Sequence, residues 1–465
     1  MRIDRKANLA GGAADRLIGL ALFAFPRAIR GRIFRFQMKA RPLAAAFVWL
    51  ALAGAHAQFS VAPEREWSPS GTPPVRASLV SFDGTSVVLR ASNGQRSTVP
   101  VASLADADRA YLEEWKNSRP ITLPDSVGVD VAKLSVEVVK EDEASQTYVY
   151  RTPHFEFTSE GRLTQSLLRD IARNFEATYE LLKVLPWGIS PAPEDGDRFR
   201  ALLVRTRERY AKEGGMPNSG GVYMRSRSMF VVPFESIGLR EVGKSFAKSS
   251  DYRSDTLVHE LTHQMMHAWL DLLPQWAVEG TAEYTNILPL RFGIFRVASA
   301  KSGLKDYLDF LKPRGGVPDP YPLEKLLTIS PEEWNRTLAA DPKEARRMYF
   351  TSYLLVYYFM HLDGKGDGDG FVRYMREVGK KRQAVEDYRK AVEEFKKQPG
   401  VEVRADGSYR WPGNLTHPPE PEFMASKEQL QQWQDSTRDL LLAGRTVDAL
   451  AAQIRSAYKR LGVKI

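Results

Sequence analysis

Residues 256–284 read TLVHELTHQMMHAWLDLLPQWAVEGTAEY, and they carry the chemistry of the chain. His259, Glu260 and His263 form H-E-x-x-H. On a helix, residues four apart share a face, so both imidazoles can reach one ion. Glu260 points ~100° around the helix from His259, away from the ion but within reach of a water on it. A third protein ligand is needed, because a catalytic zinc keeps its fourth position for water. Glu279 and Glu283 follow, again four apart. Glu279 is assigned as the ligand. Glu283 is placed behind it, accepting from the far nitrogen of a ligand histidine. His267 is the rival, but eight residues of helix put it roughly 12 Å from His259, too far to share the ion.

At these residues the chain resembles the gluzincin metallopeptidases, which include the thermolysin-like enzymes and the aminopeptidase N group. HELTH followed by W-x-x-E-G-x-x-E-Y carries the likeness. The resemblance implies one Zn2+ held by His259, His263 and Glu279, with Glu260 as general base. The connection from His263 to Glu279 is a few residues shorter than in the best-known members. Glu283 is the alternative ligand should that connection fail to place Glu279.

A second stretch extends the likeness. Residues 349–352, Tyr-Phe-Thr-Ser, are similar to the Tyr-x-x-Gly helix of the aminopeptidase group, with Ser in place of Gly. There the tyrosine stabilises the oxyanion, so Tyr349 is expected to do so here, with Tyr353 as fallback. Tyr349 can equally be one of several aromatic residues packing its helix. Asp341, followed by Pro342 and Glu344, is a capping start for that helix. In the resembled family an extended peptide adds to a sheet edge above the zinc. Gly221, Val222 and Tyr223, within the alternating stretch at 220–224, are the candidates for that edge. Arg225 and Arg227 beside it can favour acidic substrates or be plain solvated charge. The Gly-x-Met-Glu-Asn motif that anchors the substrate amine in aminopeptidases is absent.

The chain has 465 residues, 43% of them hydrophobic and 26% charged, enough for two or three globular domains. Its net charge is +9, but residues 1–57 hold ten Lys or Arg against two acidic residues, which is +8 of it. The remainder is near neutral, so the charge gives no reason to expect a nucleic-acid partner. The N-terminal bias has its own reading. Met38-Lys-Ala-Arg is a basic start, residues 43–53 are apolar, and Ala55-His-Ala57 is a small-x-small cleavage site. An exported, periplasmic or extracellular protein is expected, starting at Met38 and cut after Ala57. The apolar run is shorter than the ~20 residues of a membrane span, so no transmembrane helix is expected in the mature chain. The chain has no cysteine, so a metal must be held by histidine and carboxylate. Three of its seven histidines fall between 259 and 267.

Residues 58–74 are a Pro/Ser-rich linker. Residues 75–118 hold short alternating strands with Asp83-Gly84 and Asn93-Gly94 turns, then a helix with Ser103 as expected N-cap. They resemble the small all-β SH3-like barrel of exported bacterial proteins. That module is expected to bind a cell-wall component or a Pro-rich peptide, or to serve as a spacer. Residues 119–145 form a connector with one strand expected at 134–139. The resemblance places an α+β metallopeptidase domain, with a small mixed sheet and zinc-binding helices, over 146–370, and leaves a helical region over 371–465. Residues 363–370, DGKGDGDG, lack the closing Glu of a calcium loop and read as a helix-to-helix turn. The function expected is a secreted zinc metallopeptidase acting on peptide or protein. The alternative is a non-catalytic envelope scaffold with a metallopeptidase-like domain.

Overall fold

A computed structural model describes residues 3–5 and 64–465, with breaks at 70–72, 83–84, 94, 119–122, 195, 217–218, 244, 250–254 and 405–407. The expected signal segment and its cleavage site lie outside the described residues, as does Ser254, the expected cap of the H-E-x-x-H helix. The described residues form two compact units, a smaller one within 27–120 and a larger one of 121–465 together with residues 3–5.

In the smaller unit, β1 (Arg65–Trp67), β2 (Val75–Phe82), β3 (Ser86–Ala91) and β4 (Arg96–Pro100) pair antiparallel in chain order. Alternation turns Leu79, Val87 and Leu89 inward onto Trp67. Helix α1 (Asp106–Ser118) closes that core through Leu112. Asp108 is buried and held by Arg65 at 2.8 Å and by the Ser68 amide at 2.7 Å. A bridge between Pro69 and Leu104 joins the start of the unit to the residues after β4. Ser103 does not cap α1. It sits in a 310 turn, and its hydroxyl donates to the Pro100 carbonyl at 2.7 Å.

The larger unit is built on a six-stranded mixed sheet. Its strands are β5 (Glu137–Asp142), β6 (Thr147–Arg151), β7 (Phe155–Ser159), β8 (Phe199–Val204), β9 (Val222–Met224) and β10 (Met229–Pro233), in the order β9-β10-β8-β7-β6-β5. The strand expected at 134–139 is β5, shifted to 137–142, with Val138 and Val139 exposed on the outer edge. Strands β7, β8 and β10 are mutually parallel, and the rest pair antiparallel. The parallel step from β7 to β8 requires a crossover, supplied by α2 (Gln165–Val184). Thr164 caps α2 by accepting from the Leu167 amide, and Leu167, Leu168, Ile171, Phe175 and Leu182 form its buried face.

Helices α3 (Asp255–Met265) and α4 (Gln275–Ile287) pack on each other beside the β9 end of the sheet. Behind them come α5 (Pro331–Ala340) and α6 (Pro342–His361), the latter buried from Met348 to Met360. Asp341 caps α6 as expected, accepting from the amides of Lys343 and Glu344. The charged helix α7 (Asp369–Lys396) and the pair α8 (Lys427–Leu442) and α9 (Val447–Arg460) follow in the C-terminal part. In the glycine-rich turn before α7, the Asp363 carboxylate is held by Arg445 at 2.7 and 3.0 Å and by the Tyr358 hydroxyl at 3.0 Å. No helix among the described residues is long and apolar enough to cross a membrane.

Candidate metal centre

Leu257, Val258, Leu261 and Met265 bury α3 in the core, which turns His259 and His263 toward α4. The helix stops at Met265. A 310 turn at His267–Trp269 and a short link to Pro274 start α4 directly across from it. This tight return brings Glu279 opposite the two histidines despite the short connection. The Nε2 atoms of His259 and His263 are 2.9 Å apart, and Glu279 Oε2 lies 3.2 and 3.3 Å from them. All three side chains are buried, and Glu279 Oε2 has no hydrogen-bond partner. Together they are a group that can hold a metal ion.

The spacing fits such an ion. Bonds of about 2.0–2.1 Å in a tetrahedral set put neighbouring ligand atoms ~3.3 Å apart. The charges fit as well. Glu260, Glu279 and Glu283 are buried together around two imidazoles. Burial opposes a charge on His259, but Glu279 and Glu283 outweigh it and push its pKa up to about 10. Burial likewise opposes ionisation of Glu279, but His263 and His259 hold it down at about 2. His263, by contrast, is lowered by burial. Buried carboxylates gathered on one point are stabilised by a cation at that point.

Glu283 is one turn further along α4. Its Oε1 lies 3.3 Å from His259 Nδ1, on the side of the ring away from Glu279. It therefore backs a histidine and does not join the ligand atoms.

Glu260 is fully buried. Its Oε2 accepts from the Tyr223 backbone amide at 3.1 Å, while its Oε1 has no hydrogen-bond partner. Burial, with help from Glu279 and Glu283 and against His259, pushes its pKa up to about 8. Tyr223 is the middle residue of β9, the edge strand of the sheet, with Val222 beside it and Gly221 just before. The expected substrate edge thus stands next to Glu260, but the Tyr223 amide is already committed to that carboxylate.

Tyr349 neighbours the group through His259. Its ring is centred 6.4 Å from that of His259 and packs edge-on against Trp334 of α5 at 5.7 Å. Burial, followed by the charges of Glu279, Glu260 and Glu283, raises its pKa well above 10, so the hydroxyl keeps its proton. Tyr353 sits one turn deeper, against Tyr307 and Tyr357 in the core.

His267 takes no part in the ligand group. Its Nδ1 meets the Tyr223 hydroxyl, and its Nε2 lies 2.6 Å from Glu194. Arg225 grips Asp271 with both terminal nitrogens, and the exposed Arg227 pairs with Glu213 at 2.6 Å, so each arginine has an acidic partner in the chain. Glu194 and Trp334 carry no sequence signal. One lies in a Pro-rich loop and the other in a short helix, and only the fold brings them to the site. No protein-family model matches the chain, and no curated protein matches it.

Proposed function

We propose that this chain is an exported zinc-dependent peptidase of the gluzincin kind. The observation that carries the reading is a single convergence. Two imidazole nitrogens and one carboxylate oxygen meet at ion-binding distance, while a second buried carboxylate beside them keeps one oxygen without a partner. His259, His263 and Glu279 would hold one zinc ion. When bound, zinc supplies a water of lowered pKa and polarises the scissile carbonyl.

The protein's own groups do the rest. An extended peptide lies along the outer edge of β9, over the stretch of Gly221, Val222 and Tyr223. Glu260 Oε1 accepts the proton of the attacking water and delivers it to the leaving amine. The Tyr349 hydroxyl donates to the carbonyl oxygen as negative charge develops there. Glu283 holds the His259 ring in place. Residues 75–118 are read as an SH3-like module that presents the enzyme to a cell-wall component.

The reading is tested with the zinc-loaded protein and a dye-quenched unfolded protein as substrate. Hydrolysis that stops on chelation and returns with one equivalent of zinc supports it. Zinc retained without any hydrolysis favours the scaffold alternative.

A further inference from the structure

We propose that Glu194, His267 and Tyr223 form a positioning relay that holds the edge strand β9 against the base Glu260. The inference rests on the peptidase reading for its catalytic consequence, but not for its structural one. Tyr223 is bonded at both ends. Its backbone amide donates to Glu260 Oε2 at 3.1 Å, and its hydroxyl meets His267 Nδ1. The ring between them is buried and packs edge-on against the imidazole, 5.7 Å between centroids. His267 sits just past the end of α3, so the helix that carries His259, Glu260 and His263 also places the far end of the relay.

The direction of the Glu194 bond is set by chemistry. A carboxylate only accepts, so His267 Nε2, 2.6 Å from Glu194, carries the proton. Its Nδ1 and the Tyr223 hydroxyl share the second hydrogen bond of the relay. Glu194 also accepts from the Ser228 hydroxyl at 2.9 Å. Ser228 has φ +45° and immediately precedes β10, the partner of β9. Glu194 therefore pins both arms of the hairpin, Ser228 directly and Tyr223 through His267. β9 has a sheet neighbour on one side only, and the bonds of Tyr223 to Glu260 and His267 tie the strand to the α3 segment as well. The result is that one oxygen of Glu260 is fixed and the other is left without a hydrogen-bond partner.

The test is amide hydrogen exchange at Tyr223, measured by NMR on the full zinc-loaded chain, in the wild type and in Tyr223→Phe, Glu194→Ala and Glu194→Gln. The relay predicts at least tenfold faster exchange in Tyr223→Phe and Glu194→Ala. Glu194→Gln keeps an acceptor for His267 and should recover most of the protection. Bound zinc stays at one equivalent in all three. With a cleaved peptide, kcat should fall at least tenfold in Tyr223→Phe and Glu194→Ala, with KM within about twofold. The double variant should be no slower than the slower single one. Unchanged exchange in both disruptive variants overturns the relay, whether or not the protein cleaves peptides. Equal loss in Glu194→Gln and Glu194→Ala also overturns it. Faster exchange in a protein that cleaves nothing keeps the relay and rejects the peptidase reading.

Discussion

Gly280 and Ser352 bring α4 and α6 into backbone contact. A Cβ added to Gly280 would lie 2.6 Å from the Ser352 carbonyl oxygen. The neighbour of Gly280 is Glu279, and Tyr349 is one turn before Ser352, so this contact sets the distance between the metal group and the proposed oxyanion donor. Gly280→Ala must push the helices apart. Overpacking of this kind costs about 1–3 kcal/mol. The variant should unfold several degrees lower in a thermal melt and retain zinc less well in competition with a chelator. A variant as stable as the wild type would show that the helices can separate freely.

Glu279 and Glu283 should separate cleanly in metal retention. Glu279→Ala removes an atom that lies 3.2 and 3.3 Å from the two Nε2 atoms, so zinc should no longer raise the melting temperature. Glu283→Gln leaves the ligand atoms in place and weakens only the support of His259. Zinc affinity should drop about 10–100-fold, the usual cost of losing such a partner. Competition with a fluorescent chelator reads both, and the reverse ranking would make Glu283 the ligand.

Tyr349 and Tyr353 are one helical turn apart and should behave differently. Tyr349→Phe keeps the packing on Trp334 and loses the hydroxyl. Its kcat should fall about 10²–10³-fold with little change in KM or melting temperature. Tyr353→Phe should leave kcat within about twofold. Steady-state kinetics on one peptide decides the matter, and an equal effect of the two would place the donor elsewhere.

His361 makes stability depend on pH. Burial lowers its pKa from 6.5 to about 4, and its Nε2 is bonded to the Tyr284 hydroxyl at 2.8 Å. Between those values the unfolded chain binds a proton that the folded chain refuses. Stability should therefore fall as pH drops from 6.5 to 4, by up to about 1.4 kcal/mol per pH unit, and level off below. Above 6.5 both states are neutral and this dependence vanishes. His361→Gln should flatten the acid arm in urea titrations across that window. An unchanged slope would assign the acid sensitivity to other groups.

The convergence of His259, His263 and Glu279 was legible because H-E-x-x-H and E-x-x-x-E are local patterns on helices, where spacing fixes the face. The cap at Asp341 was legible for the same reason. Other features depended on packing that local spacing does not encode. Tyr349 and Tyr353 share a helix face, and only the position of α4 along α6 decides which one reaches the histidines. Ser103 has a capping side chain, but a 310 turn that engages its hydroxyl intervenes before α1. The Tyr223–Glu260 bond joins residues 37 apart in the chain. Glu194 comes from a loop whose sequence announces a turn and nothing more.

The most direct test of the central claim is mass spectrometry of a diverse peptide mixture incubated with the zinc-loaded protein from Gln58, with the same protein after chelation, and with zinc-loaded Glu260→Gln. The account predicts new peptide ends in the first sample alone, with zinc still bound in the variant. No cleavage by the zinc-loaded wild type, or equal cleavage by Glu260→Gln, would contradict it.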